Sequence, residues 1–166
     1  MLKRLFVAAA LILAMGVVSG AFAQGISYRA GHKDLALEVM RCAIQPDNSC
    51  IVDMLLENRS DEDWNLYPTG HESVVHKNRA YDDAGNSYSK ISMAIGNTAK
   101  YVYGRVTGYI VFPAGTLLKV RVKIFDVSEI ASLIKRIDID LVSEEWGSGT
   151  DSGREPLVIM NIPISR

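Results

Sequence analysis

The residue types able to support metal or acid–base chemistry in this chain of 166 residues are three histidines, two cysteines and a few acidic clusters. A zinc site needs two or more of His32, His71 and His76 to converge with a carboxylate or thiolate, yet the odd spacing of His71 and His76 sends them to opposite faces of an extended segment. Asp138 and Asp140 form an i, i+2 pair, which is what the solvated face of a strand produces for solubility alone. No G-x-S-x-G element marks a serine nucleophile. Asp61, Glu62 and Asp63 in one loop, and Asp82, Asp83 and Asn86 in another, offer oxygen ligands of the kind calcium takes. Neither run has the spacing of a twelve-residue calcium loop, so no cofactor and no catalytic residue are expected.

Cys42 and Cys50 lie eight positions apart with Pro46-Asp47-Asn48 between them, a turn-rich insert that predicts a disulfide closing a hairpin. The rival, a metal or redox pair, lacks both C-x-x-C spacing and a nearby histidine. Asn58-Arg59-Ser60 formally matches a glycosylation acceptor, a pattern short enough to arise by chance.

Aromatics carry the other chemical signal. Tyr101 and Tyr103 fall on one face of an extended run, while Trp64 and Trp146 stand in or beside polar loops. Exposed rings on a sheet or at loop tips recognise sugars or proteins, so Tyr101, Tyr103, Trp64 and Trp146 are the expected binding residues. The alternative is that these rings fill the core.

The elements that must position these residues are strands. From Leu118 to Ile124, Leu118, Val120, Val122 and Ile124 alternate with Lys119, Arg121 and Lys123, the period of a half-buried strand. Pro113 and Gly115 predict a reversal just before it and an antiparallel neighbour upstream. From Leu35 to Ile44 the apolar positions switch from odd to even, which predicts a bulge near Met40. Cys50, Val52, Met54 and Leu56 share a face of the next strand, and Asp82-Asp83-Ala84-Gly85-Asn86 is a hairpin turn with glycine for positive φ. Ile130, Leu133 and Ile134 recur at helical spacing behind Ser128, predicting one or two helical turns near 128–134. In the last strand Val158, Met160, Ile162 and Ile164 align, and Pro163, which cannot donate to a ladder, places its end at an edge.

The first residues read as an address label. Lys3 and Arg4, an apolar run from Leu5 to Val18 and Ala21-Phe22-Ala23 before Gln24 have the three-part pattern of a secretory signal. Cleavage after Ala23 leaves 143 residues, one domain's worth: a loose leader over 24–34 and a single domain over 35–166. Lys3 and Arg4 leave with the signal, so 16 basic residues face 19 acidic ones, a formal net charge of −3 that argues against a nucleic-acid partner. No later stretch reaches membrane-spanning length, and a periplasmic or secreted location is expected.

Many short strands separated by turn signals at about ten-residue intervals predict an all-β, two-sheet antiparallel immunoglobulin-like sandwich of seven or eight strands. The hairpin from Ala80 to Tyr88, with Asp82-x-x-Gly85-x-x-Tyr88, followed by Pro113-x-Gly115 and the strand through Asp126, resembles exported bacterial immunoglobulin-like domains of uncharacterised function. The resemblance covers the middle half of the chain beyond the signal. It implies a β-sandwich and a life outside the cytoplasm, and carries over no catalytic residue. The expected function is a non-enzymatic binding or assembly module whose partner is a protein or carbohydrate of the cell envelope. The alternatives are a carbohydrate-binding module using the aromatics and a small hydrolase.

Overall fold

A computed structural model describes residues 25–30, 32–68, 78–96, 110–139, 141–143 and 157–166. Twelve strands and no helix account for the regular structure of these residues. In chain order they are β1 (Ser27–Arg29), β2 (Leu35–Ile44), β3 (Cys50–Asn58), β4 (Trp64–Pro68), β5 (Arg79–Asp82), β6 (Ser87–Tyr88), β7 (Ile91–Ile95), β8 (Ile110–Phe112), β9 (Leu117–Ile124), β10 (Leu133–Ile139), β11 (Leu141–Ser143) and β12 (Leu157–Pro163). They form a five-stranded sheet in the order β1-β12-β10-β5-β6, a four-stranded sheet β2-β3-β9-β7 and a small sheet β11-β4-β8. Every ladder is antiparallel, and the architecture is an immunoglobulin-like sandwich.

The alternation in β9 does what its period requires. Val120, Val122 and Ile124 are buried, while Lys119, Arg121 and Lys123 point the other way. β9 is interior to its sheet, paired in full register with β3 (Val52 opposite Val122, Met54 opposite Val120) and with β7 (Met93 opposite Val122). These inward residues share one core with Ile134, Ile137, Ile139, Leu157 and Ile159 of the five-stranded sheet and with Trp64, Leu66 and Phe112 of the small one. Each fully buried aliphatic side chain there contributes about 2 kcal/mol. The bulge expected near Met40 is present: the β2–β3 register shifts between Val39 and Arg41, and Met40 is left outside the ladder and exposed.

Pro113–Gly115 does not make a hairpin between neighbours. Gly115 takes positive φ, 66°, as expected, but β8 before the turn pairs with β4 and β9 after it pairs with β3, so the connection carries the chain from one sheet to another. Asn58 fixes that crossing. Its side-chain amide donates to the carbonyls of Glu62 (2.9 Å) and Phe112 (3.0 Å), and its Oδ1 accepts from the amide and hydroxyl of Ser60. Asn58 is fully buried, so the Asn58-Arg59-Ser60 triplet is a structural clamp.

The helix expected near 128–134 is absent. The Ala131 amide closes a single turn onto the Ser128 carbonyl, and the next two amides, Ser132 and Leu133, donate instead to the Asp83 carboxylate. Ile130 is 79% exposed, so the helical spacing has no apolar face to bury, and Leu133 already begins β10. Ser27–Arg29, expected in a loose leader, forms an edge strand on β12. In β12 the buried set is Leu157, Val158, Ile159 and Ile162, with Met160 exposed, because Asn161 adopts φ 60° and changes the facing of the strand midway. Pro163 stands opposite Leu133 of β10 and beyond the reach of β1, where a missing N–H costs no bond on that side. Two residues on, Ser165 forms a parallel bridge to Ala43 of β2, tying the two large sheets together at the chain's end.

Candidate functional site

Trp64 does not stand on the surface. It is 2% exposed, with its ring edge-on to Phe112 (centroids 6.0 Å apart) and to His32 (5.0 Å), because β4 turns this residue inward against the buried end of β8. It is a core residue, which corrects its reading as a binding aromatic. Tyr101, Tyr103 and Trp146 lie outside the described residues, as do His71, His76 and Asp140. Among the described residues no three of His, Cys, Asp and Glu gather as a metal would need. Among them also, no helix is long and apolar enough to cross a membrane.

Cys42 and Cys50 are buried on the inner face of the β2–β3 pair as free thiols with their sulfurs 3.3 Å apart. They are diagonal neighbours, since Cys42 pairs with Val52 and Cys50 with Ile44. The hydrogen bond between them, together with burial, pushes the Cys42 thiol up, while the same bond lowers Cys50.

The acidic turns are clamps. Asp82, buried at the end of β5, would be pushed up by burial, but it accepts from Tyr88 Oη (2.6 Å), Asn86 Nδ2 (2.8 Å) and the Asn86 amide (2.8 Å), and these bonds hold it below the usual carboxylate range. The Tyr88 hydroxyl also accepts from the Ser128 amide at 3.1 Å, so one ring joins the hairpin to the loop after β9. This is the physical content of the Asp82-x-x-Gly85-x-x-Tyr88 pattern: the aspartate caps the turn, Gly85 takes φ 88°, and the tyrosine locks the cap. Asp83 holds the Ser132–Leu133 turn, and Asp63 accepts from the Ala114 amide at 2.9 Å. Beside Tyr88 a shallow groove of about 390 Å³ runs to Phe125, whose ring lies 4.9 Å from both Lys90 Nζ and Lys123 Nζ. Both lysines are also paired, with Asp126 (3.6 Å) and Asp47 (2.9 Å).

The outer faces of the two large sheets hold the remaining charge. On the four-stranded sheet Arg121 grips Asp53 bidentately, Nε to Oδ1 at 2.6 Å and Nη2 to Oδ2 at 3.0 Å, and Arg41 flanks Asp53 from the other side. The Arg121 guanidinium holds the Asp53 carboxyl below its ordinary value. Arg59 pairs with Glu57 at 2.7 Å on the same sheet. On the five-stranded sheet, Arg29, Val158, Asp138 and Arg79 stand in register across β1, β12, β10 and β5. In the adjoining row Met160, Arg136 and Tyr81 are aligned, and Arg136 Nε donates to Asp138 Oδ1 at 2.7 Å. No sequence motif marks this cluster, because its members come from four separate stretches of chain.

No protein-family model matches the chain, and no curated protein does. Among solved structures, an ASH/PapD-like domain of human CEP192 aligns over 91% of this chain and 95% of its own, at 8% identity and a TM-score of 0.39. A family 123 glycoside hydrolase from Clostridium perfringens, described for glycolipid glycan hydrolysis, aligns over 84% of this chain but 27% of its own length, at 7% identity and a TM-score of 0.40.

Proposed function

We propose that this protein is an exported, non-enzymatic binding or assembly module that meets its partner through an outer sheet face. The observation that carries this reading is how the polar groups are used. Asp53, Asp82, Asp83 and Asp138 each engage a neighbouring arginine, tyrosine, asparagine or backbone amide, so these carboxylates serve the fold, and none is held ready for proton transfer. Residues 1–23 supply the export signal, and the destination is the periplasm or the exterior. There the Cys42 and Cys50 thiols give up two protons and two electrons to a disulfide-exchange oxidoreductase and become the bridge.

A scan with a photo-crosslinking residue over both outer faces and the loop ends tests the reading. A discrete partner adduct at one face is the expected result. No adduct at any position, together with turnover of a substrate that is lost on replacing His71, His76 or Asp138, would sink it. For export, the exported product is expected to begin at Gln24 by intact mass. For the bridge, no thiol should react with an alkylating agent in the denatured, unreduced protein; two reactive thiols would exclude it.

A further inference from the structure

Cys42 and Cys50 are already neighbours, with sulfurs 3.3 Å apart, so a bond between them waits only on a reagent that can reach one of them. Neither is within reach in the closed fold, at 5% and 0% exposure. Cys42 lies on β2 where the edge of that strand is taken by the strap 164–166. The Ser165 amide and hydroxyl donate to the Cys42 carbonyl at 2.8 and 2.7 Å, and the Ile44 amide donates to the Ser165 carbonyl at 3.1 Å. On its other side the strap is held by the Ile164 amide on the Ser132 carbonyl (3.0 Å) and by the Arg166 guanidinium on the Ala131 carbonyl. The strap also acts on the pair behind it: the bond from Cys42, the Ala43 amide and the Arg166 charge together lower the Cys50 thiol against its burial.

β9 is held by ladders along both of its sides, whereas the strap meets β2 as an isolated bridge. Segments joined by so few backbone bonds open locally at a fraction of the free energy of global unfolding. We propose that the strap 164–166 is the gate through which the buried Cys42–Cys50 pair of the folded protein exchanges with a thiol–disulfide oxidoreductase, a route that rests on the bridge proposed above. With the strap lifted, one cysteine as thiolate attacks the oxidoreductase's disulfide, forming a mixed disulfide and releasing a thiolate that takes up a proton. The other cysteine, its proton lost to water, attacks the mixed disulfide, which forms the Cys42–Cys50 bond and releases the partner's second sulfur. The pair gives up two electrons, and the partner's disulfide is reduced to a dithiol.

The test is thiol labelling of the full chain, reduced and folded, with dithiodipyridine, itself a disulfide, in rising denaturant below the unfolding transition. Through a local gate the rate should be nearly flat in denaturant, since lifting the strap exposes little surface. Ser165→Pro removes both Ser165 donors to the Cys42 carbonyl and should raise the rate about tenfold. Arg121→Ala, which lowers global stability from the middle of the sheet, should leave the rate unchanged. Should Ser165→Pro not fold, Ser165→Ala combined with Arg166→Ala takes its place, with a rise of about threefold or more expected. A rate that climbs with the full denaturant slope of global unfolding, an Arg121→Ala chain that labels as fast as the strap variant, or no acceleration from the strap variant would overturn the gate. These rates on the reduced chain decide the gate alone, whereas two reactive thiols in the exported, unreduced protein overturn the bridge reading whatever the rates.

Discussion

The two large sheets of this protein each turn a charged face to water, but their principal ion pairs are built differently. On the four-stranded face Arg121 of β9 grips Asp53 of β3 with two bonds and Lys123 pairs with Asp47, while Arg41 and Lys119 add their charge beside Asp53. On the five-stranded face Arg136 pairs with Asp138 two residues along its own strand, through one bond at 2.7 Å. A bidentate pair between strands fixes two elements against each other, which a single bond within one strand cannot do. The difference lies in what each pair joins: the first ties β3 to β9, while the second ties β10 only to itself.

The largest effect that sharpens this contrast comes from reversing the facing of one strand. Val120→Asp puts a carboxylate into the core of β9 with no partner, and a loss of about 4 kcal/mol or more is expected by denaturant melting, against a small change for Lys119→Asp beside it. Equal losses would mean that β9 does not have an inside and an outside. Next in size is Arg121→Ala, which strands the nearly buried Asp53. With Arg121 itself partly in solvent, about 2 kcal/mol is expected, seen as a fall in melting temperature of several degrees.

Acid should expose the same clamp more weakly. Asp53 and Asp82 are held below their ordinary values by their partners in the folded state, so the stability they provide is complete above the unfolded carboxylate value near pH ~4 and is lost as pH falls through the lower folded values. Melting temperature should thus be flat above that point and decline below it. In Asp53→Asn the decline should be shallower; an unchanged slope would remove Asp53 from the account. The smallest effect is expected from Arg136→Ala, whose exposed pair with Asp138 contributes under about 1 kcal/mol. If Arg136→Ala costs as much as Arg121→Ala, the two faces are alike and the contrast fails.

What the sequence made legible was local. The alternation in β9, the bulge at Met40 and the turn at Asp82–Tyr88 each follow from residues within ten positions, and each appears in the structure. What it hid was pairing. The Pro113–Gly115 turn was visible, but whether the next strand joins the same sheet depends on β3 and β4, more than fifty residues upstream or nearly so. Helical spacing at Ile130, Leu133 and Ile134 misled because Asp83, from another hairpin, takes the amides a helix would need. Trp64 in a charged loop read as exposed, since nothing near it names Phe112 as its neighbour. The arginine face was invisible for the same reason: one arginine per strand looks like ordinary solvation until the register lines them up.

The pairing of β1 with β12 has a mechanical consequence. Ser27 lies opposite Met160 and Arg29 opposite Val158, so the chain enters β1 at the same end of the sheet from which it leaves β12 toward Arg166. A pull applied between Gly25 and Arg166 loads this ladder like a zipper, one bond at a time, and not in shear across all of them at once. At the Arg166 end the resistance is the bond from the Arg166 guanidinium to the Ala131 carbonyl and then the Ser165 bridge, whose amide and hydroxyl both donate to the Cys42 carbonyl. A tether fixed to either end would peel away an edge strand or this short strap under modest force, leaving β9 and its neighbours standing.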